Sequence, residues 1–191
     1  MAQPIVHGRL TDLVSGQSLA DTEDERLRQR IARRLLTECG YSRQEVRSRL
    51  RVPIDAGEKR AEVMLDFLVS LGGVPAMMIR YGPGSIVTRH RPALALARLM
   101  GPNTVPVVVV TNGREADVLE SGRGRVIGSG LAAILTREDL EGLLAETPPV
   151  AVDRRQAEMA ARIVYAFEID GSCSLDAHLS SSSTAADNDG R

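Results

Sequence analysis

Two acidic residues and one arginine lie in neighbouring apolar segments, where together they could support hydrolysis of a phosphodiester. Glu62 and Asp66 fall in the largely apolar run 59–71, and Arg80 falls in the next such run. The dipeptide Gly72-Gly73 separates the runs, which predicts two buried strands joined by a tight turn. Carboxylates on one strand can hold Mg²⁺, which lowers the pKa of a bound water. The stretch therefore has the outline of a metal-dependent nuclease site.

Composition narrows the class of protein. A chain of 191 residues predicts one domain of roughly 150 residues with tails. No segment reaches the roughly 18 apolar residues of a membrane helix, and the N-terminus lacks a signal-peptide pattern, so a cytoplasmic location is expected. The net charge is −1, from 24 Lys+Arg and 25 Asp+Glu. Dedicated DNA-binding domains are usually basic overall, so this balance argues mildly against tight DNA binding.

A helix of about residues 23–39 should follow Thr22, because Thr22 and Glu25 have the spacing of a capping box and Gly40 can end the helix. One face of this helix is apolar. Several arginines gather on the opposite face, where they form either a solvated surface or a contact for phosphate: Arg26, Arg30, Arg33 and Arg34.

Two charged residues of this helix break its apolar pattern. Glu25 and Arg28 are spaced i and i+3, and both point into or beside the apolar arc. Either Glu25 caps the helix and Arg28 pairs with it, or both border a polar site. The residue pattern alone leaves the two interpretations open.

The order of elements predicts an α/β fold with a mixed α+β sheet. Periodicity and turn residues indicate three antiparallel strands after the first helix, then a helix, a strand, a hairpin turning at Asn112-Gly113, and further helices. The predicted ranges are strands 47–58, 59–71, 74–81 and 104–111, and helices 91–101, 136–147 and 153–169. We predict four parts: an N-terminal arm or hairpin (1–21), a core (22–150), a C-terminal helix (151–170) and a disordered tail (171–191).

This α-β-β-β-α-β order resembles the core of the PD-(D/E)XK nuclease fold. Local motifs resemble the N-terminal domain of type I restriction enzyme R subunits: E-x-x-R-Q at residues 25–29, G-Y at 40–41, K-R-A-E at 59–62 and T-N-G at 111–113. The resemblance spans roughly residues 10–167 and extends to small bacterial proteins that carry this domain alone. It implies a restriction-endonuclease-like core with an extra C-terminal hairpin and helices.

The resemblance also assigns the positions of the active site. The family's helix glutamate falls on Glu25 and its metal-binding strand aspartate on Glu62. The second ligand glutamate and the lysine fall on Met78 and Arg80. Mg²⁺ does not select a neutral thioether, and an arginine that is always protonated is a poor activator of water.

The resemblance therefore implies a catalytically inactive binding or structural module that keeps the nuclease fold. No metal or other cofactor is expected, with Glu62 the remaining candidate ligand for one. The expected partners are DNA, contacted weakly, and another protein. The residues expected to contact DNA are Arg28, Arg80, Arg30, Arg33 and Arg34.

Two alternatives remain from the sequence. One is an active Mg²⁺-dependent DNA endonuclease whose site residues have migrated. Asp66 would be a replacement ligand, but it should lie about 13 Å along the strand from Glu62, too far to share one ion. The other alternative is a protein-interaction domain without a nucleic-acid role.

Overall fold

A computed structural model describes residues 5–170. The predicted disordered tail, 171–191, lies outside the described residues. The described elements are β1 (Arg9–Thr11), β2 (Ser18–Ala20), α1 (Glu23–Thr37), β3 (Val46–Ala56), β4 (Lys59–Leu71), β5 (Val74–Tyr81), α2 (His90–Ala97), β6 (Val107–Thr111), β7 (Ala116–Glu120), β8 (Arg125–Ser129), α3 (Arg137–Glu146) and α4 (Arg154–Tyr165). A π-helical turn, Ala166–Asp170, continues α4.

A six-stranded mixed sheet forms the centre of the fold, in the order β3-β4-β5-β6-β7-β8. Neighbouring strands are antiparallel except for β5 and β6, which are parallel. A parallel pair needs a crossover connection, and α2 lies in that connection. Every residue of β6 is buried, as its unbroken β-branched sequence predicts for a strand covered on both faces.

Two apolar clusters cover the two faces of this sheet. On one face, Leu35 of α1 and Leu140 of α3 belong to the same cluster as alternate residues of the central strands, such as Met77. On the other face, residues of α2 and α4, such as Val164, cluster with the intervening strand residues, such as Met78. Within residues 5–170, no helix is long and apolar enough to cross a membrane.

The structure confirms the predicted fold class and the order of its elements, including the exact bounds of β4 and β5. The two-residue turn predicted at Asn112-Gly113 is wrong, since four residues join β6 to β7. The reason is that the Asn112 side-chain oxygen accepts hydrogen bonds from the backbone N–H groups of Arg114 and Glu115, which lengthens the loop.

All four predicted helices are shorter than their sequence patterns indicate. The helix predicted over 91–101 ends at Ala97, and the helix predicted over 136–147 spans Arg137–Glu146. The first helix ends at Thr37, two residues before the predicted end. The last helix ends at Tyr165, where the π-helical turn begins. Its apolar residues are only partly buried: Met159 and, in the π-helical turn, Phe167 are exposed, while Ala160 and Val164 pack into the core.

A buried carboxylate fastens the β1–β2 hairpin to the core. Asp12 accepts hydrogen bonds from Ser48 Oγ on β3 at 2.7 Å and from Gln29 Nε2 on α1 at 3.0 Å. Within the hairpin it accepts from Ser15 and Val14. Burial opposes ionisation of Asp12, but these hydrogen bonds together outweigh it and lower its pKa to about 2.

We expect Asp12→Ala to lower the free energy of unfolding by about 2 kcal/mol at pH 7. The pKa of Asp12 lies below its ordinary value of 3.8, so its contribution is complete above that value and is lost as the pH falls towards 2. Urea unfolding of both proteins should therefore converge between about pH 4 and pH 2. Glu58→Ala, which removes an exposed carboxylate, is the matched control; an equal effect of that change would contradict the assignment.

Candidate functional site

A cluster of charged side chains lies where α1 crosses the middle of β3 and β4. The pairing of these strands passes from Ser48–Phe67 directly to Leu50–Leu65, so Arg49 and Asp66 are left between the paired positions. Arg49 has a φ of 55°, in the left-handed region. This kink breaks the regular alternation of both strands and places two charged residues at the same level of the sheet.

Asp66 is the centre of this cluster. It is 5% exposed, and both of its carboxylate oxygens accept hydrogen bonds. Arg28 Nε donates to Oδ1 at 2.7 Å, and the backbone N–H of Tyr81 donates to Oδ2 at 2.8 Å. A carboxylate taken out of water needs such partners, so Asp66 links α1, β4 and the end of β5.

Glu25 is buried beside Asp66 and is also fully engaged. Arg49 donates a hydrogen bond to its Oε2, and Gln29 Nε2 donates to its Oε1 at 2.9 Å. Arg28 Nη1 lies 3.8 Å from Oε2. The helix cap is formed by Thr22, whose side chain accepts from the Glu25 backbone N–H. Glu25 and Arg28 thus do pair, but within a polar cluster rather than at the cap alone.

Tyr81 forms one wall of the cluster. Its hydroxyl donates to Asp24 Oδ1 at 2.7 Å, and the Arg28 guanidinium lies 4.7 Å from the centre of its ring. Burial raises the pKa of Tyr81, and the hydrogen bond to Asp24 raises it further. The phenol therefore stays protonated at neutral pH and orients Arg28 through a cation–π contact.

Arg80 lies near the end of β5, beside a recess of about 250 Å³. Its guanidinium donates to Glu168 Oε2 at 2.7 Å and to the Met64 backbone carbonyl at 2.5 Å. Its side chain is only 12% exposed. Arg28 and Asp66 line the same recess.

The structure does not bring the other two predicted positions into the cluster. Glu62 lines the rim of the recess, but its side chain is 57% exposed and pairs with Arg51 at 3.2 Å. Met78 is fully buried in the apolar cluster on the face covered by α2 and α4. Its backbone pairs with Leu68 on β4 and Val108 on β6, so Met78 lies in the interior of the sheet.

Sequence reasoning missed Asp66 and Arg49 as members of the site. It considered Asp66 only as a distant replacement ligand for Glu62. One signal was present, since Asp66 interrupts an otherwise apolar run within β4, and an isolated buried acid requires a partner. Arg49 carried no comparable signal, because it lies among several other arginines on a half-exposed strand.

The remaining arginines of α1 divide into paired and exposed ones. Arg34 pairs with Glu38, and Arg26 pairs with Asp21 at 2.6 Å. Arg30 and Arg33 are exposed and make no ion pair with any residue from 5 to 170. Arg33 shares a shallow recess of about 380 Å³ with Arg43, a residue that no motif of the sequence singles out.

The chemistry of the cluster does not fit a divalent metal ion. A hard cation needs carboxylate oxygens with open lone pairs directed at one point. Each oxygen of Asp66 and Glu25 instead accepts a hydrogen bond, in two cases from an arginine. Across the described part of the chain, no three His, Cys, Asp or Glu side chains come together as a metal-binding group.

Comparison with known proteins identifies one family. The model of the family described as "Type I restriction enzyme R protein N terminus (HSDR_N)" matches residues 23–134, more than half of the chain. The match runs from the start of α1 to the turn after β8. No curated protein and no solved structure matches the chain.

The two acidic residues of β4 should differ sharply in their effect on stability. Asp66→Asn removes the closer of the two buried anions beside Arg28, so we expect it to lower the free energy of unfolding by about 2 kcal/mol or more. Glu62→Gln removes an exposed pair and should change it by less than about 0.5 kcal/mol. Urea unfolding followed by circular dichroism measures both. Equal losses would contradict the central position of Asp66.

Proposed function

We propose that this chain, which belongs to the family of the type I restriction enzyme R protein N terminus, is a catalytically inactive nuclease-fold module that contacts nucleic acid weakly. The observation that carries the proposal is the occupation of its buried carboxylates. Arg28 and Arg49 hold Asp66 and Glu25 in the cluster beneath α1.

The charges of the cluster disfavour the binding of a catalytic metal ion. A metal ion bound to Asp66 would have to displace Arg28 and would leave that guanidinium beside a divalent cation. The resulting repulsion adds to the cost of breaking a largely buried ion pair, which is several kcal/mol when one partner is lost. The arginines thus compensate the charge that a metal would compensate in a hydrolytic site.

Arg80 is poorly suited to activate an attacking water. Arg80 stands where the resemblance places the lysine, and its guanidinium already donates to Glu168 and to the Met64 carbonyl. Arginine stays protonated at any physiological pH, so it cannot accept a proton from an attacking water. It can bind a phosphate through paired N–H groups. Binding without cleavage is the role that this chemistry supports.

Weak nucleic-acid contact is supported by the outer face of α1. Arg30 and Arg33 are exposed there, and Arg43 lines the recess beside Arg33. Arg28, Arg34 and Arg80 are held by carboxylates, so they contribute less while those pairs persist. The net charge of −1 limits the overall affinity, because phosphate contacts dominate binding to nucleic acid.

A protein-interaction role is the second candidate function. At the opposite end of β5 from Arg80, a recess of about 310 Å³ is lined mainly by apolar residues and prolines. Val74 lies at this recess and is largely exposed. An apolar surface of this kind suits a polypeptide side chain better than a phosphate.

Catalytic inactivity predicts that supercoiled plasmid incubated with Mg²⁺ or Mn²⁺ stays uncut. The test compares the wild-type protein with Asp66→Asn and Glu62→Ala over long incubations at high protein concentration. Metal-dependent nicking that either substitution abolishes would establish the alternative, an active endonuclease with rearranged ligands. Nicking that survives both changes points to a contaminating nuclease.

Nucleic-acid contact through α1 predicts salt-dependent binding of a fluorescent duplex. Fluorescence anisotropy should show weaker binding by the double variant Arg30→Gln/Arg33→Gln, with the slope of log K against log salt reduced by about 2. The control, Arg154→Gln/Arg155→Gln, removes the same charge from exposed positions on α4. An equal loss of affinity in both variants would show that binding depends on net charge and not on the outer face of α1. No salt-dependent retention by the wild-type protein would favour the protein-interaction role.

A further inference from the structure

The end of the chain that the structure describes lies against three basic side chains. Lys59 Nζ lies 5.0 Å from the ring centre of Tyr165, and the Arg91 guanidinium lies 5.8 Å from that of Phe167. Glu168 forms the ion pair with Arg80. We call residues 166–170, the π-helical turn that continues α4, the C-terminal strap. The three cations come from β4, α2 and β5, so basic groups of three elements lie along the end of α4 and the strap.

The ion pair between Glu168 and Arg80 has the geometry of an oxyanion contact. A Glu168 oxygen accepts from Arg80 Nη2 at 2.7 Å, and the two side chains are mostly shielded from water. A phosphodiester oxygen presents the same kind of acceptor to a guanidinium. Glu168 therefore occupies the position that a nucleic-acid phosphate would take at Arg80.

The strap is held by an ion pair, a cation–π contact and apolar side chains that are only partly buried. Ile169 packs against the apolar cluster on the face covered by α2 and α4 without being fully buried. The preceding helix α4 buries Ala160, Ala161 and Val164 in the core. The strap leaves Phe167 about half exposed, against Arg91. A segment whose apolar side chains are only partly buried opens at a lower free-energy cost than the elements packed in the core. The strap can therefore open while α4 stays in place.

We propose that the strap is an autoinhibitory segment whose Glu168 competes with a nucleic-acid phosphate for Arg80. Opening of the strap uncovers Arg80, which can then bind a phosphate together with Arg91 and Lys59, two residues that are already exposed. The other acids at this recess do not compete, because Asp66 is held by Arg28 and Glu62 pairs with Arg51. The inference rests on the proposed nucleic-acid contact and concerns its regulation.

The test is the affinity of the full chain for a fluorescent DNA duplex, measured by anisotropy over a range of salt concentrations. Glu168→Gln should bind roughly three- to tenfold more tightly than the wild-type protein, because Arg80 becomes available to a phosphate. Its slope of log K against log salt should steepen by about 0.9, the effect of one added phosphate contact.

Glu158→Gln is the matched control. Glu158 lies on α4, pairs with the exposed Arg154 and carries the same charge as Glu168. Its substitution should leave the affinity within about twofold of the wild-type value, since it changes only a screened surface charge. Adding Arg80→Gln to Glu168→Gln should remove the gain.

Amide hydrogen exchange without nucleic acid provides a readout of the strap itself. Exchange over residues 166–170 should be faster in Glu168→Gln than in Glu158→Gln. Tighter binding without faster exchange would mean that Glu168 acts by charge alone, which would contradict opening of the strap as the mechanism.

The two proposals fail in different ways. Wild-type binding tests the proposed function, and the ratio of Glu168→Gln to wild-type affinity tests autoinhibition by the strap. If the wild-type protein binds DNA as proposed and Glu168→Gln has the same affinity, only the autoinhibitory role of the strap is contradicted. Binding by Glu168→Gln but not by the wild-type protein would support the strap and contradict weak contact by the closed form. Absence of binding in both would overturn both proposals.

Discussion

The burial of Asp66 within β4 is the constraint around which the site is built. An ionised carboxylate in the interior loses the solvation of water, at a cost of several kcal/mol that only close donors can offset. The donors come from two different elements, Arg28 on α1 and the backbone of Tyr81 at the end of β5. Satisfying one charge therefore fixes how α1 crosses the sheet and where β5 ends beside β4.

A second buried carboxylate extends the same constraint. Arg28 carries one positive charge, which does not balance both Asp66 and Glu25. Arg49 pairs with Glu25 and supplies the second positive charge. Arg49, which pairs with Glu25, has a left-handed backbone conformation. This conformation costs a non-glycine residue about 1 kcal/mol or more. Through Gln29, the network continues to Asp12 and the N-terminal hairpin. Charge compensation thus connects the hairpin, the first helix and three strands of the sheet.

The same compensation bears on function. The family frame is present, from α1 through β8, but its carboxylates are satisfied by protein cations. A cluster that is neutral within itself has little affinity for a further cation, whereas the arginines outside it remain suited to phosphate. Arg80, near the end of β5, lies between the neutral cluster and the strap: it lines the same recess as Asp66 and pairs with Glu168.

Local patterns were sufficient to predict much of the architecture. The apolar runs and turn residues around Gly72-Gly73 determine β4 and β5, and the spacing of Ile31 and Leu35 determines the buried face of α1, because both signals depend on neighbours within a few residues. The order of the sequence motifs likewise indicates the family without reference to the fold. These features need no knowledge of which elements come together.

The composition of the site was decided only by the tertiary structure. Counting residues along an ideal strand puts Glu62 and Asp66 on one face and suggests that either could be a ligand. The structure keeps both residues at one recess, but Arg28 of α1 covers only Asp66, which is buried, and leaves Glu62 exposed. The contacts of Asp66 with Arg28, and of Arg80 with Glu168, join residues 38 and 88 positions apart. A local pattern carries no record of such pairings, since they exist only once the sheet and its helices have packed.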